Sequence, residues 1–144
     1  MALQRITGRD VPFCFNRKEM KNHGEGGQLV GHSPRDGERV LIIEDVTTAG
    51  TSIRETVPLL RAAAPVRLTG LVVSVDRMER GPSGRRSALD EVADEFGMTA
   101  ASIVSLDDVL DHLRPGGPAA QPLTEDQTAR IQSYRAEFGA QSSQ

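Results

Sequence analysis

Short apolar runs recur along the 144-residue chain at intervals that suit strands alternating with helices. Val11 to Phe15 leans to β-structure. Val40-Leu-Ile-Ile43 is apolar without interruption, the pattern of a parallel strand covered on both faces. Leu71-Val-Val-Ser-Val75 and Ala101-Ser-Ile-Val-Ser-Leu106 read the same way. Helical patterns fill the intervals between the later strands. Ser52 to Ala64 opens on Ser52-Ile-Arg-Glu55, a capping box in which each side chain satisfies a free amide at the other's position. Pro58 removes a donor inside that segment and predicts a kink or a shorter helix. Ser87 to Phe96 places Leu89, Val92 and Phe96 on one face, with Gly97 as its stop. Strand, helix, strand, helix, strand implies an α/β fold with a parallel sheet and right-handed crossovers. Pro115 to Pro122 is a linker by composition. Thr124-Glu-Asp-Gln127 is another capping box, and the helix it opens carries Ile131, Tyr134 and Phe138 on one stripe, expected to dock on the body or on a partner. The expected division is a core over 1–114, a linker over 115–123, and a C-terminal helix and tail over 124–144. There are no internal repeats.

Composition narrows the class of molecule. Hydrophobic residues make up 38% and charged residues 26%, an ordinary balance for a soluble domain. A formal net charge of -3 gives no general attraction to nucleic acid or to a membrane, and neither is an expected partner. Cys14 is the single cysteine, which excludes an internal disulfide and fits a reducing compartment. With no long apolar run and no charged-then-apolar leader, the expected location is the cytoplasm. Of 17 basic residues only Lys18 and Lys21 are lysines. Two readings stand: coding bias toward arginine with a chance pairing, or a stretch that needs a compact, flexible ammonium.

The densest chemistry lies in Val40-Leu-Ile-Ile-Glu-Asp-Val-Thr-Thr-Ala-Gly-Thr-Ser52. A strand delivers Glu44 and Asp45 at its carboxyl end, where ligands bind in open α/β sheets. The loop that follows is small and rich in hydroxyls, and a helix starts at once. Backbone amides of Thr47 to Ser52 can curl around an anion, and the helix start adds free donors and partial positive charge. Gly50 allows close approach, while Thr47, Thr48, Thr51 and Ser52 add hydroxyls. The two acids suit vicinal ribose hydroxyls and a Mg²⁺ ion that keeps its waters. An ordinary strand-to-helix turn would explain Asp-Val-Thr alone. The full run holds acids, hydroxyls, glycine and cap where one phosphorylated ribose would need them. It lacks the Gly-Lys-Ser/Thr ending of a Walker A loop.

This run resembles the 5-phosphoribosyl-1-pyrophosphate (PRPP) motif of type I phosphoribosyltransferases. Pro12-Phe-Cys-Phe-Asn-Arg-Lys-Glu-Met-Lys-Asn-His-Gly-Glu-Gly-Gly27 resembles the strand and catalytic loop of the orotate phosphoribosyltransferases, and Ser74-Val-Asp-Arg-Met-Glu-Arg-Gly81 is similar to a third segment of that family. The resemblance implies a Rossmann-like core that transfers phosphoribosyl from PRPP to orotate, giving orotidine 5′-monophosphate and pyrophosphate in pyrimidine biosynthesis. It implies PRPP contacts from Arg17, Lys18, Lys21, His23, Glu44, Asp45, Val46, Thr47, Thr48, Ala49, Gly50, Thr51 and Ser52. Lys21, His23 and Asp45 would act in catalysis, and Thr48 and Arg77 would contact orotate. Mg²⁺ would ride mainly on the diphosphate, with no set of protein ligands assigned to it. A homodimer is implied in which the lysine loop serves the neighbouring subunit. Charge supports the loop's reading, since Arg17, Lys18, Lys21 and His23 could stabilise a departing pyrophosphate while Gly24, Gly26 and Gly27 let a lid move. The other reading of the loop is a solvated charged turn, and of Arg77 a salt bridge with Asp76 or Glu79. Glu79 and Arg80 read as surface residues or anchors, and Cys14 as a strand residue without a catalytic role.

Set against the family pattern, Met1-Ala-Leu begins inside a helix that lies mid-domain. Family members carry ahead of it a first strand, a pyrophosphate-gripping loop and an N-terminal hood. The alternatives are a start placed too far downstream, a fragment, a split subunit, or a chain without catalysis. Beside the orotate enzyme stand two other expectations: a non-catalytic module binding PRPP or a nucleotide, and a phosphoribosyltransferase for another base.

Overall fold

The computed structural model describes residues 2–17, 29–46 and 49–140. In chain order they form α1 (Ala2–Thr7), β1 (Cys14–Asn16), β2 (Leu29–Gly31), β3 (Arg39–Val46), α2 (Thr51–Ala63), β4 (Arg67–Asp76), α3 (Ala88–Phe96), β5 (Thr99–Ser105), α4 (Leu106–Leu113) and α5 (Glu125–Phe138). The chain divides into two compact units, Met1–Glu38 with Glu55–Arg67, and Arg39–Arg54 with Leu68–Gln144.

In the smaller unit β1 and β2 pair antiparallel, Phe15 opposite Val30. Of the expected Val11–Phe15 strand only Cys14 and Phe15 join that ladder, which continues to Asn16, and Val11 and Phe13 are exposed. The β2 strand had no clear signal, because three residues are too few to show alternation. Asn16 Nδ2 donates to Thr56 Oγ1 at 3.1 Å, and Val57 and Leu60 are buried.

The larger unit is built on a parallel three-stranded sheet in the order β3-β4-β5. In β4 Leu71 and Val73 are fully buried on one face, and they stand opposite Ala100 and Ser102 of β5. Helix α3 lies against β5 and buries Ala88, Leu89, Val92 and Ala93. Each fully buried aliphatic side chain of this kind contributes about 1.5–3 kcal/mol. The helix starts where Ser87 Oγ accepts the Asp90 amide and stops at Gly97, whose φ of 69° is left-handed, a conformation that glycine adopts without steric cost.

The other face of the sheet is open. Leu41 and Ile43 of β3 and Ile103 of β5 are 54%, 72% and 73% exposed. The uninterrupted run Val40–Ile43 is therefore covered on one side only, with Ile42 as its buried member, which corrects the expectation of a strand covered on both faces. Alternation along a strand sends neighbouring side chains to opposite faces, and a continuous apolar run does not reveal which face finds a cover.

Two boundaries also differ from the sequence reading. Leu106 opens α4 rather than ending β5. Ser105 Oγ accepts the Asp108 amide at 3.1 Å and the Asp108 carboxylate accepts the Ser105 amide at 2.8 Å. Helix α2 begins at Thr51 and runs through Pro58 to Ala63. The Gly50 carbonyl accepts the Arg54 amide at 3.0 Å. Ser52 therefore stands inside the first turn, not at its cap.

Helix α5 docks on its own unit. The Arg80 amide donates to the Phe138 carbonyl and the Ala140 amide to the Met78 carbonyl, both at 2.8 Å. Arg135 pairs with Asp107 at 2.6 Å. Thr124 and Gln127 form the expected capping box.

Candidate functional site

The carboxyl end of β3 carries the expected acids. Glu44 is half-buried and Asp45 exposed, and as successive strand residues they leave on opposite faces. Asp45 Oδ1 accepts the Val46 amide at 2.6 Å. Thr47 and Thr48 lie outside the described residues, as do Lys18, Lys21 and His23 of the lysine loop. Arg17 is exposed just beyond β1.

Ala49, Gly50, Thr51 and Ser52 complete the corner from the helix side. Gly50 is buried with φ 72°, and a Cβ there would overlap Val92 Cγ2 of α3. Arg54, one turn into α2, donates from Nη1 to the Ala49 carbonyl and from Nε to Glu95 Oε2 at 2.7 Å. A guanidinium thus ties the turn to α3 and brings a positive charge to the start of α2. The sequence reading assigned Arg54 no role, as it merely lies between Ser52 and Glu55 of the expected capping box. Its partners lie five residues back and 41 residues on, and the second separation has no local signature.

Arg77 follows β4 at the same edge of the sheet. Thr69 Oγ1 donates to the Val40 carbonyl at 3.0 Å, and Gly70 lies beside Leu41. This register brings the ends of β3 and β4 level. Arg77 Nη2 pairs with Glu79 Oε1 at 2.5 Å and donates to Tyr134 Oη, while Tyr134 Oη donates to the same Glu79 oxygen. The guanidinium also sits 5.8 Å from the Tyr134 ring centroid, within range of a cation–π attraction. Of the alternatives for Arg77, its ion pair is with Glu79. Asp76 is taken by the Met78 amide at 2.8 Å. Glu79 is not a surface residue, as its side chain is 14% exposed. The hydrogen bond to Glu79, followed by burial, pushes the Tyr134 hydroxyl above its usual pKa, so it remains a donor at neutral pH. Beside this group a cavity of about 450 Å³ is walled by Leu106, Leu123, Ile131 and Tyr134, with Gln127, Arg130 and Arg77.

Among the described residues no three His, Cys, Asp or Glu side chains converge as a metal site. Glu44 and Asp45 on opposite faces offer one carboxylate to either side, a donor set that suits Mg²⁺ held chiefly by phosphate oxygens and water. Burial pushes the Cys14 thiol up, which disfavours the nucleophilic thiolate. No described helix is long and apolar enough to cross a membrane.

The corner, its glycine and its acids all fall within residues 2–96, which match the phosphoribosyl transferase domain family. Orotate phosphoribosyltransferase of Clostridium acetobutylicum is 44% identical over 140 residues, covering 96% of this chain and 62% of the relative. That of Laribacter hongkongensis is 51% identical over 134 residues, 92% of this chain and 58% of the relative. The chain thus spans about three-fifths of the length of these curated relatives. The crystal structure of orotate phosphoribosyltransferase from Francisella tularensis superposes with a TM-score of 0.69 at 26% identity, over 96% of this chain and 61% of that one. Leishmania donovani UMP synthase superposes with a TM-score of 0.67 at 25% identity, over 94% of this chain and 26% of that one. An acid-tipped strand turning through a buried glycine into a helix, on a parallel sheet with these likenesses along nearly its whole length, makes this chain a member of the phosphoribosyl transferase domain family.

Proposed function

We propose that this chain carries the PRPP-binding core of an orotate phosphoribosyltransferase, acting in pyrimidine biosynthesis. The observation that carries the reading is that the acid-bearing carboxyl end of β3 is followed by a buried, left-handed Gly50 at the start of α2. The amides and hydroxyls from Thr47 to Ser52 would hold the 5-phosphate, and Asp45 and Glu44 the ribose hydroxyls. A ring nitrogen of orotate forms the new bond to ribose C1′ and releases its proton, which leaves with the pyrophosphate or to water, as the bond from C1′ to the diphosphate oxygen breaks. Charge builds on the leaving group and cationic character on the ribose, so positioning and electrostatics are the protein's contribution. Lys18, Lys21, His23 and Arg17 would meet the pyrophosphate, with Lys21 serving the neighbouring subunit of a homodimer. Arg77 and Thr48 would face the base. Mg²⁺ on the diphosphate would neutralise part of the developing charge. The relatives' names support orotate as the base, and a biosynthetic transferase of this kind works in the cytoplasm.

The test has two arms. Calorimetry with ribose 5-phosphate and PRPP measures the cradle, and orotate-dependent release of pyrophosphate from PRPP measures the reaction. Micromolar binding that Asp45→Asn weakens supports the cradle, whereas absence of binding by the folded protein sinks it. Turnover with another base but not with orotate would reassign the acceptor.

A further inference from the structure

Arg77, read above as a base contact, is not set by its own strand. Its Nη2 is taken by Glu79 and by Tyr134, and Tyr134 closes the triangle by donating to Glu79. The Nη1 end has no partner among the described residues, and the side chain is 39% exposed. The Tyr134 ring covers the guanidinium at 5.8 Å and is itself held by the Phe138 ring, centroid to centroid 4.9 Å. Both aromatic residues belong to α5, which lies beyond the residues 2–96 matched by the family.

The helix is fastened where this control would require it. Its end is joined to Met78 and Arg80 through the amides of Ala140 and Arg80 and through the Arg80 guanidinium on the Glu137 carbonyl. Met78 itself has φ 56°, a left-handed conformation that costs roughly 1–2 kcal/mol for a residue with a side chain. The Asp76 carboxylate and the Ala140 amide take its own amide and carbonyl. The segment from Asp76 to Arg80 is thus clamped to α5 on both sides of Arg77's partners.

The geometry points to Tyr134 as the positioning residue for Arg77, so that α5 sets how strongly the site prefers a base bearing a carboxylate. This rests on the reading of Arg77 as a base contact and deepens it. With Nη2 pinned by Glu79 and the plane of the guanidinium set by the ring, the Nη1 end is presented in one orientation to a ligand oxygen. An arginine held in this way loses less freedom on binding than one that must first be ordered.

The experiment compares three ligands on the 144-residue chain by calorimetry: ribose 5-phosphate, uridine 5′-monophosphate and orotidine 5′-monophosphate. The last two differ by the base carboxylate. A charge-assisted contact to Arg77 should favour the orotidine nucleotide by about tenfold or more. Tyr134→Phe keeps the ring and should erase most of that preference while leaving ribose 5-phosphate affinity unchanged. Arg77→Ala should abolish the preference, and adding Tyr134→Phe to it should change nothing further, the signature of one residue acting through the other. A preference that survives Tyr134→Phe but is lost in Arg77→Ala overturns the inference and leaves the base reading standing. So does an equal loss for all three ligands in Tyr134→Phe, which would mark a structural role. If ribose 5-phosphate binds but Arg77→Ala leaves the nucleotide preference untouched, the base reading of Arg77 fails and this inference fails with it.

Discussion

Gly50 lies directly against Val92, so that the turn entering α2 and the buried face of α3 share one packing position. A side chain at residue 50 would need both a left-handed backbone and the space that the valine fills. Gly50→Ala should therefore lower stability by about 2–3 kcal/mol, from the left-handed penalty and the overlap together. Denaturant unfolding would measure it. The double variant with Val92→Ala should lose less than the sum of the two single changes, because the second removes the clash created by the first. Strict additivity would show that the two positions do not meet.

Asp45 stands exposed at the tip of β3 with one oxygen taken by the Val46 amide. Asp45→Asn keeps the shape and removes the charge offered to a ribose. Affinity for ribose 5-phosphate or PRPP should fall about tenfold or more, the scale of a charge-assisted hydrogen bond, with an unchanged circular dichroism spectrum. Unchanged affinity with unchanged fold would remove the acid from the site.

Lys21 is expected to meet charge that grows only as pyrophosphate leaves. In a preparation that turns over, Lys21→Ala should cut kcat by about 100-fold or more while weakening PRPP binding far less. Mixing it with an Asp45→Asn partner should recover part of the activity if the loop serves the neighbouring subunit, since one site of the mixed dimer would be whole. Failure of mixing to recover activity would argue for a loop that serves its own subunit.

Three carboxylates are held below their ordinary pKa in the folded chain: Glu38 mainly by the hydrogen bond with His32, Glu91 by the Ser83 hydroxyl, and Asp108 by the Ser105 hydroxyl. A depressed folded pKa contributes stability above the unfolded value and loses it as pH falls through the folded one. The melting temperature should therefore hold near neutrality and fall between about pH 5 and pH 3. Glu91→Gln should flatten that fall, since its carboxylate no longer titrates. An identical acid profile in the variant would exclude Glu91 as a contributor.

The open sheet face should make itself felt in solution. Leu41, Ile43 and Ile103 lie together on it, each more than half exposed, and a contiguous apolar surface favours association. Ile43→Thr with Ile103→Thr should reduce self-association in sedimentation velocity with little change in melting temperature, because neither side chain belongs to the buried core. Equal association in both forms would place the contact elsewhere.

The parts of the fold legible in the sequence are those whose physics is local. Ser87 and Gly97 delimit α3, and Thr124 opens α5, because a cap is decided by hydrogen bonds within four residues of it. The acid-tipped strand running into a helix was legible for the same reason, since Glu44 to Ser52 are one continuous segment. Ser52 stands two positions past the cap because a capping box and a first-turn serine share the same spacing, and only the bond from the Arg54 amide to the Gly50 carbonyl separates them. The α4 helix was hidden because Ser105-Leu-Asp-Asp108 sits at the end of an apolar strand run and its cap was read as strand.

The pattern along the chain was enough to give an acid-tipped strand followed closely by a helix. Tertiary structure alone decided that Val92 closes on Gly50, that Arg54 reaches Glu95, and that Tyr134 holds Arg77 from 57 residues away. It also decided that Leu41 and Ile43 face outward while Ile42 is buried. Local hydrogen bonding and residue period act between neighbours in the chain and leave a pattern that can be read along it. Contacts between distant segments depend on which surfaces the sheet and its helices bring together, and no spacing in the sequence records that choice.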